Sequence, residues 1–276
     1  MQISGEKYYR IIQSILNKYK YSSIPEEVRK AFEKELRIRL SWNTNSLEGN
    51  TLTLEETVDA LEYDEVRSGH TYSEYTEAKT AYQANCELSF TDRKEIDLEL
   101  LHRINGIIMG TDGAFRTRQV YVGSIAEVAW MPARPEEISE KMEQWLHHVR
   151  ETIPEEDIAR IIRRIAELHL QFEMIHPFQD GNGRTGRFVM NQMLLNEGWM
   201  PAIILNQSKY RQAFRLYERN CDTALMEYCI AAGVARTCKI LEDICRKLNV
   251  PEVNCPCSEM SLKLTVPEVE VLYENR

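Results

Sequence analysis

Apolar residues recur at helical spacing along most of this chain. After Pro25, a residue suited to a first helical turn, Val28, Phe32, Leu36 and Leu40 repeat every fourth position. The repeat predicts a helix running to about Thr44 or beyond, stopped by Gly49-Asn50. Thr53-Leu54-Glu55-Glu56 has the form of a capping box and starts a further helix through Leu61. Tyr72 to Leu88 and Asp97 to Met109 read as two more helices. The pattern then changes. Gly110-Thr111-Asp112-Gly113 is a turn cluster and Arg118 to Gly123 alternates in strand fashion; with Ala126 to Met131 it predicts a small hairpin. Helices follow from Pro135 to about Arg150 and from Pro154 onward. The second carries Ile158, Ile161, Ile162, Ile165, Leu168, Phe172 and Ile175 on one broad face. Gly181 to Gly186 interrupts, and helical spacing resumes near Arg184 through Leu195. Stretches 207–219 and 222–248 complete the helical body, while Leu262 to Val266 and Val269 to Tyr273 look like short β segments. The expected fold class is mostly α, with a small β-hairpin and short C-terminal β segments. There is no internal repeat and no low-complexity linker.

Size and charge narrow the function classes. The chain has 276 residues, 43% of them hydrophobic and 28% charged, as in a soluble globular chain large enough to bury its own core. The net charge of −9 argues against a protein that wraps nucleic acid through its phosphates. No apolar run reaches the ~20 residues of a membrane span. The first twenty residues scatter charges and lack a continuous apolar stretch, so no signal peptide is expected. The seven cysteines are odd in number, and four lie in the helical stretch 221–245. That fits reduced thiols and a cytoplasmic location better than a disulfide framework. Cys255-Pro256-Cys257 lacks the further ligands that a zinc site needs. Residues 1–40 carry nine Lys/Arg against five Asp/Glu, and residues 48–99 carry four against fourteen, which reads as two solvated helical faces.

One segment concentrates the chemistry: His176-Pro177-Phe178-Gln179-Asp180-Gly181-Asn182-Gly183-Arg184-Thr185-Gly186-Arg187. Gly181-x-Gly183-x-x-Gly186 imitates a dinucleotide-binding turn, but that fingerprint follows a strand, and this one follows a long helical pattern. The residue types still point to phosphate. Glycines let backbone N–H groups approach an anion, and the helix that restarts here offers a positive N-terminal end. Arg184 and Arg187, three apart, can lean toward the same anion. Asp180 can hold Mg²⁺ against phosphate oxygens, and His176 is placed to act as a general base.

At these residues the chain resembles the Fic family, whose signature His-x-Phe-x-(Asp/Glu)-Gly-Asn-Gly-Arg-x-x-Arg is matched at every position. The resemblance implies a helical Fic core over about 70–250, after an N-terminal helical region 1–69 and before a tail 251–276. It implies that Arg116 to Met131 forms the β-hairpin flap that clamps the target protein. Family members mostly transfer AMP from ATP to a Ser, Thr or Tyr hydroxyl of a protein. By resemblance, His176 takes the proton from that hydroxyl and Asp180 holds Mg²⁺ or Mn²⁺. Gly181, Asn182 and Gly183 cradle the phosphates, the Asn182 side chain helps to orient the α-phosphate, and Arg184 and Arg187 bind the β- and γ-phosphates. Self-modification is a further implied outcome.

Thr44-Asn45-Ser46-Leu47-Glu48-Gly49 fits the family's inhibitory motif, (Ser/Thr)-x-x-x-Glu-(Gly/Asn). Glu48 paired with Arg187 through an Arg–carboxylate fork would occupy the place of the γ-phosphate. Tyr210 sits where family members often place a tyrosine near the nucleotide. His169, on the same helical face as His176, is expected to pack in the core, as are Met190, Met193 and Leu194. Trp42 and Trp199 are expected to pack, and His147-His148 to end a solvated helix. Removal of AMP with Glu48 activating water, transfer of another phosphate-containing group, and a non-catalytic nucleotide-sensing protein are the alternatives.

Overall fold

A computed structural model describes residues 5–123, 128–151 and 157–253. The fold is mostly α. In chain order the helices are α1 (Glu6–Lys18), α2 (Glu26–Glu48), α3 (Leu54–Val58), α4 (Tyr72–Cys86) and α5 (Leu98–Met109). After a two-stranded hairpin come α6 (Ile138–Arg150), α7 (Ile158–Ile175), α8 (Asn182–Asn196), α9 (Gln207–Asn220) and α10 (Ala224–Lys247). The hairpin pairs β1 (Val122–Gly123) with β2 (Val128–Trp130), antiparallel and with one irregularity in register.

Local chemistry explains the ends. α2 stops at Gly49, whose φ of 102° is a left-handed conformation that costs a β-carbon-bearing residue. Thr53 and Glu56 make the expected capping box of α3, and Thr71 with Glu74 repeats it on α4. Asp97 caps α5 by accepting the Leu100 N–H. α3 is short: after Val58 the chain widens into a π turn over Asp59–Tyr63 instead of continuing as an α-helix through Leu61.

The buried face of α7 runs through Ile158, Ile161, Ile162, Ile165, Leu168, Phe172 and Ile175, so the sequence period appears directly as burial. α7 packs against α8, α6 and α10. The same hydrophobic core takes in Ile12 and Ile15 of α1 and Val28, Phe32, Leu36 and Leu40 of α2. α2 lies along α4 and also touches α8 and α10, which brings its C-terminal end to the start of α8.

Three further expectations are corrected. The hairpin is shorter than 118–131, because side chains take carbonyls that a longer ladder would use: Arg116 Nη1 donates to the Arg118 carbonyl and Gln119 Nε2 to the Pro132 carbonyl. α4 ends at Cys86, two residues early. α8 begins at Asn182 rather than near Arg184, so Gly183 and Gly186 lie inside its first turns. The C-terminal β segments, the Cys255–Cys257 pair and the Pro154 start of α7 lie outside the described residues. Cys86, Cys221, Cys229, Cys238 and Cys245 are free thiols. Among the described residues no helix is long and apolar enough to cross a membrane.

Candidate active site

Two helix ends make the site. α7 terminates at His176, whose backbone is left-handed at φ 51°, and α8 starts six residues later after Gly181, also at positive φ. The turn between them is braced from inside. Asn182 Oδ1 accepts the Phe178 N–H at 2.8 Å, and Asn182 Nδ2 donates to the Phe178 carbonyl at 2.9 Å. Both polar atoms of that side chain thus bond within the loop. Asn105 of α5 supports the turn by donating to the Asp180 carbonyl at 3.0 Å and to Thr185 Oγ1 at 3.2 Å.

His176 is tied to the base of the hairpin. The buried Arg116 donates from Nε to the His176 carbonyl at 2.8 Å, and from Nη2 to the carbonyls of Ile175 and Ala133. Its own N–H bonds to the Pro177 carbonyl, and Phe115 pairs with Phe178 in an antiparallel bridge. Burial, helped by the Arg116 charge, pulls the His176 imidazole down to about 4, so it is neutral at pH 7. A neutral imidazole has a lone pair with which to accept a proton.

The first turn of α8 presents N–H groups without helical partners toward the loop, with Arg184 and Arg187 behind them. Both arginines are buried. Arg184 donates to Met109 Sδ at 3.2 Å, and its Nε has no partner. Arg187 is fully engaged: Nη2 meets Glu48 Oε1 at 2.5 Å and the Thr44 carbonyl at 3.1 Å, and Nε donates to Thr44 Oγ1 at 2.8 Å. The expected fork is therefore single-pronged toward Glu48, the second prong being taken by Thr44. Burial pulls the Glu48 carboxyl upward, but the Arg187 charge outweighs it and holds Glu48 below the ordinary carboxylate range. Gly183 makes room for this contact, since a β-carbon there would sit 2.3 Å from Glu48 Oε1.

Asp180 is exposed, and its Oδ1 accepts the Gly181 N–H at 2.5 Å. One carboxylate oxygen beside an anion-binding helix end suits a Mg²⁺ that completes its shell with phosphate oxygens and water.

Known proteins resemble this chain in sequence and in fold. A family profile described as the Fic/DOC family matches residues 95–194, the stretch from α5 through the hairpin, α6 and α7 into most of α8. The chain belongs to the Fic family. Residues of the chain are 30% identical over 196 positions to "Protein adenylyltransferase Fic" of Culex quinquefasciatus, covering 66% of this chain and 37% of that protein. They are 31% identical over 177 positions to "Protein adenylyltransferase fic-1" of Caenorhabditis elegans, covering 59% and 32%. The chain thus spans under two fifths of the length of these curated relatives. Among solved structures, a Fic domain containing signaling protein from Bacteroides thetaiotaomicron superposes with a TM-score of 0.68 at 19% identity, covering 88% of this chain and 97% of that one. Fic-1 from C. elegans superposes with a TM-score of 0.69 at 22% identity, covering 87% and 71%. These two show a shared fold.

The remaining sequence candidates fall around the Fic loop as follows. Tyr210 is buried, its hydroxyl 2.7 Å from His169 Nε2 and 3.5 Å from Arg187 Nη1, so it meets the arginine from behind. His169 lies in the core as expected, and burial takes its imidazole down to about 3. Met190, Met193 and Leu194 are core residues. Trp42 donates to the Leu52 carbonyl, Trp199 is half-buried, and His147 and His148 are exposed at the end of α6. His147, His148 and Glu151 place ligand atoms within 4.8 Å of one another, all exposed.

Three residues of the Fic site escaped sequence reasoning. Arg116 and Asn105 carry no local signal, since both act across long separations. Glu173 had one: a carboxylate on the apolar face of α7, three before His176. It is buried, with Oε2 3.8 Å from His176 Nδ1 and Oε1 unpartnered beside Gly186. Burial pushes its carboxyl up to about 8, with Arg187 opposing and Glu48 adding to the rise, so it is protonated at pH 7.

Proposed function

We propose that this chain transfers AMP from ATP to a Ser, Thr or Tyr hydroxyl of a target protein. The supporting observation is a neutral His176 at the lip of an anion-binding helix end whose two arginines stand behind it. The attacking hydroxyl gives its proton to His176, its oxygen bonds to the α-phosphorus, and pyrophosphate leaves in line. Asp180 would hold the divalent cation, Mg²⁺ or Mn²⁺, which neutralises phosphate charge as the bond to the leaving group breaks. The N–H groups of Asn182 and Gly183 and the Arg184 guanidinium would hold the phosphates, and Arg187 would join them once released. The target segment would lie along β1–β2, where Tyr121 and Met131 are exposed on either side.

The same reading makes α2 an inhibitor. While Arg187 grips Glu48, it is withheld from the γ-phosphate. Incubation with α-labelled or γ-labelled ATP tests the transferred group. Label carried into protein only from the α position supports AMP transfer, and label only from the γ position makes the enzyme a kinase. Glu48 is half-exposed as well as paired, which keeps removal of AMP by Glu48-activated water as the second reading. Release of AMP from a pre-labelled target identifies it.

A further inference from the structure

His176 leaves one ring nitrogen without a partner. Nδ1 is buried and makes no hydrogen bond, although the side chain as a whole is 20% exposed. Buried polar atoms are nearly always paired, so this one calls for a partner. The Glu173 carboxyl stands in front of it, with Oε2 at 3.8 Å, nearly an ångström beyond an ordinary N–H···O bond of ~2.9 Å. The backbone carbonyl of Glu173 faces the ring as well and favours a hydrogen on it.

The helices are packed closely around this carboxyl. Its Oε1 is enclosed and unpartnered. Gly186 of α8 clears the space: a β-carbon there would lie 2.7 Å from Oε1, 3.0 Å from Phe172 Cδ1 and 3.3 Å from His169 Cε1. Arg187 of α8 and Glu48 of α2 act on the carboxyl with opposite signs, and burial outweighs Arg187, so the group is protonated at pH 7. A protonated carboxyl has no room for a second proton and does not serve as a relay. Its carbonyl oxygen can still accept an N–H.

We propose that Glu173 is the positioning residue of the His176 base: it accepts the Nδ1–H and so fixes the tautomer whose lone pair is on Nε2. The bond made by one ring nitrogen sets the protonation of the other. The consequence for catalysis rests on the AMP-transfer reading, in which Nε2 takes the proton of the attacking hydroxyl. Nδ1 keeps its own hydrogen throughout, and the imidazolium formed is held by the same Glu173 oxygen. Catalytic hydrogen bonds that are long in a free enzyme commonly tighten when substrate binds, and a small side-chain rotation closes this gap.

The test is nitrogen-15 NMR of the full chain labelled at histidine, at pH 7 without nucleotide, with the His176 signals identified by their loss in His176→Ala. Wild type should show Nδ1 protonated and Nε2 unprotonated. Glu173→Leu should move the population toward the Nε2–H tautomer. In the Glu48→Gly background, Glu173→Leu should slow labelling from α-labelled ATP at least tenfold while affinity for ATP with Mg²⁺, by isothermal titration, stays within threefold. General damage to the fold would lower both. Glu173→Gln, which keeps a carbonyl oxygen in that place, should recover most of the lost rate. A wild-type spectrum with Nε2 protonated overturns the proposal whatever the variants do. So does a Glu173→Leu chain with the wild-type tautomer and rate, or one whose rate and ATP affinity fall together. The expected tautomers with no α-label transferred by Glu48→Gly would retire the AMP-transfer reading and leave the Glu173–His176 bond established.

Discussion

Arg187 Nη2 meets Glu48 Oε1 at 2.5 Å, closing a contact between residues 139 positions apart. The arginine is buried and the glutamate half-exposed, so the carboxylate reaches in from the rim while the guanidinium is held by the fold. Thr44, one helical turn before Glu48, accepts from Nε and Nη2 of Arg187, and the Tyr210 hydroxyl stands 3.5 Å from Nη1. On the proposed function, a γ-phosphate would reach Arg187 only by displacing this carboxylate.

Replacing Glu48 with Gly removes that competitor and leaves the loop untouched. Transfer of label from α-labelled ATP should rise at least ~10-fold, a change of only ~1.4 kcal/mol in barrier. Thr44→Ala should act in the same direction and more weakly, because the Thr44 carbonyl still holds Arg187. Equal incorporation by wild type and Glu48→Gly would remove the inhibitory role of α2.

His176→Ala should abolish transfer in the Glu48→Gly background while ATP binding persists, since the base acts only on the hydroxyl. The pH profile carries the finer test. The folded imidazole titrates near 4, below the ordinary value of 6.5, so the proton-accepting form is already dominant at pH 6. The acid limb of kcat/KM should accordingly fall well below pH 6. A limb at 6.5 or above would mean that the imidazole is not held in this environment.

Asp180→Ala should lower both activity and its dependence on Mg²⁺, measured by titrating the metal against transfer rate. Full activity in excess chelator would exclude a divalent cation at this loop.

Glu173→Gln should change stability in a pH-dependent way. The folded carboxyl holds its proton up to about pH 8, whereas an unfolded one releases it near 4.5. The native state therefore binds more protons than the unfolded state between those values, and stability contributed by this group falls as pH rises through the window. The glutamine keeps the shape without the proton. Its thermal midpoint should match wild type near pH 4.5 and exceed it at pH 8, where the difference in stability is roughly a few kcal/mol at most. A gap that does not vary with pH would show that Glu173 is not buried as a neutral acid.

Arg116→Met should destabilise the chain and slow transfer together. It removes donors to the carbonyls of His176, Arg118, Ala133 and Ile175, and each buried acceptor left unpaired costs about 1–3 kcal/mol. Thermal midpoint and transfer rate in the Glu48→Gly background should both drop. Loss of neither would mean that the hairpin base and the loop are held by other contacts.

The sequence by itself determined the helices and the loop, because both are written in short-range patterns. Val28 to Leu40 every fourth residue, the Thr53–Glu56 cap and the apolar face of α7 fix conformation through neighbours three or four positions away. The run from His176 to Arg187 names its chemistry through residue types that lie side by side. Even there, the short-range view misplaced the start of α8: glycines at 183 and 186 read as a break, but they serve close approach, where side chains of Glu48 and Glu173 fill the space a β-carbon would need. Only the tertiary structure decided what each side chain spends its hydrogen bonds on. Asn182 turned inward to Phe178, Arg116 bound His176 from sixty residues away, and Glu173 and His176 lost water and so shifted in opposite directions from their ordinary titration. Desolvation and long-range pairing depend on which helices pack together, and no local pattern in the chain encodes that.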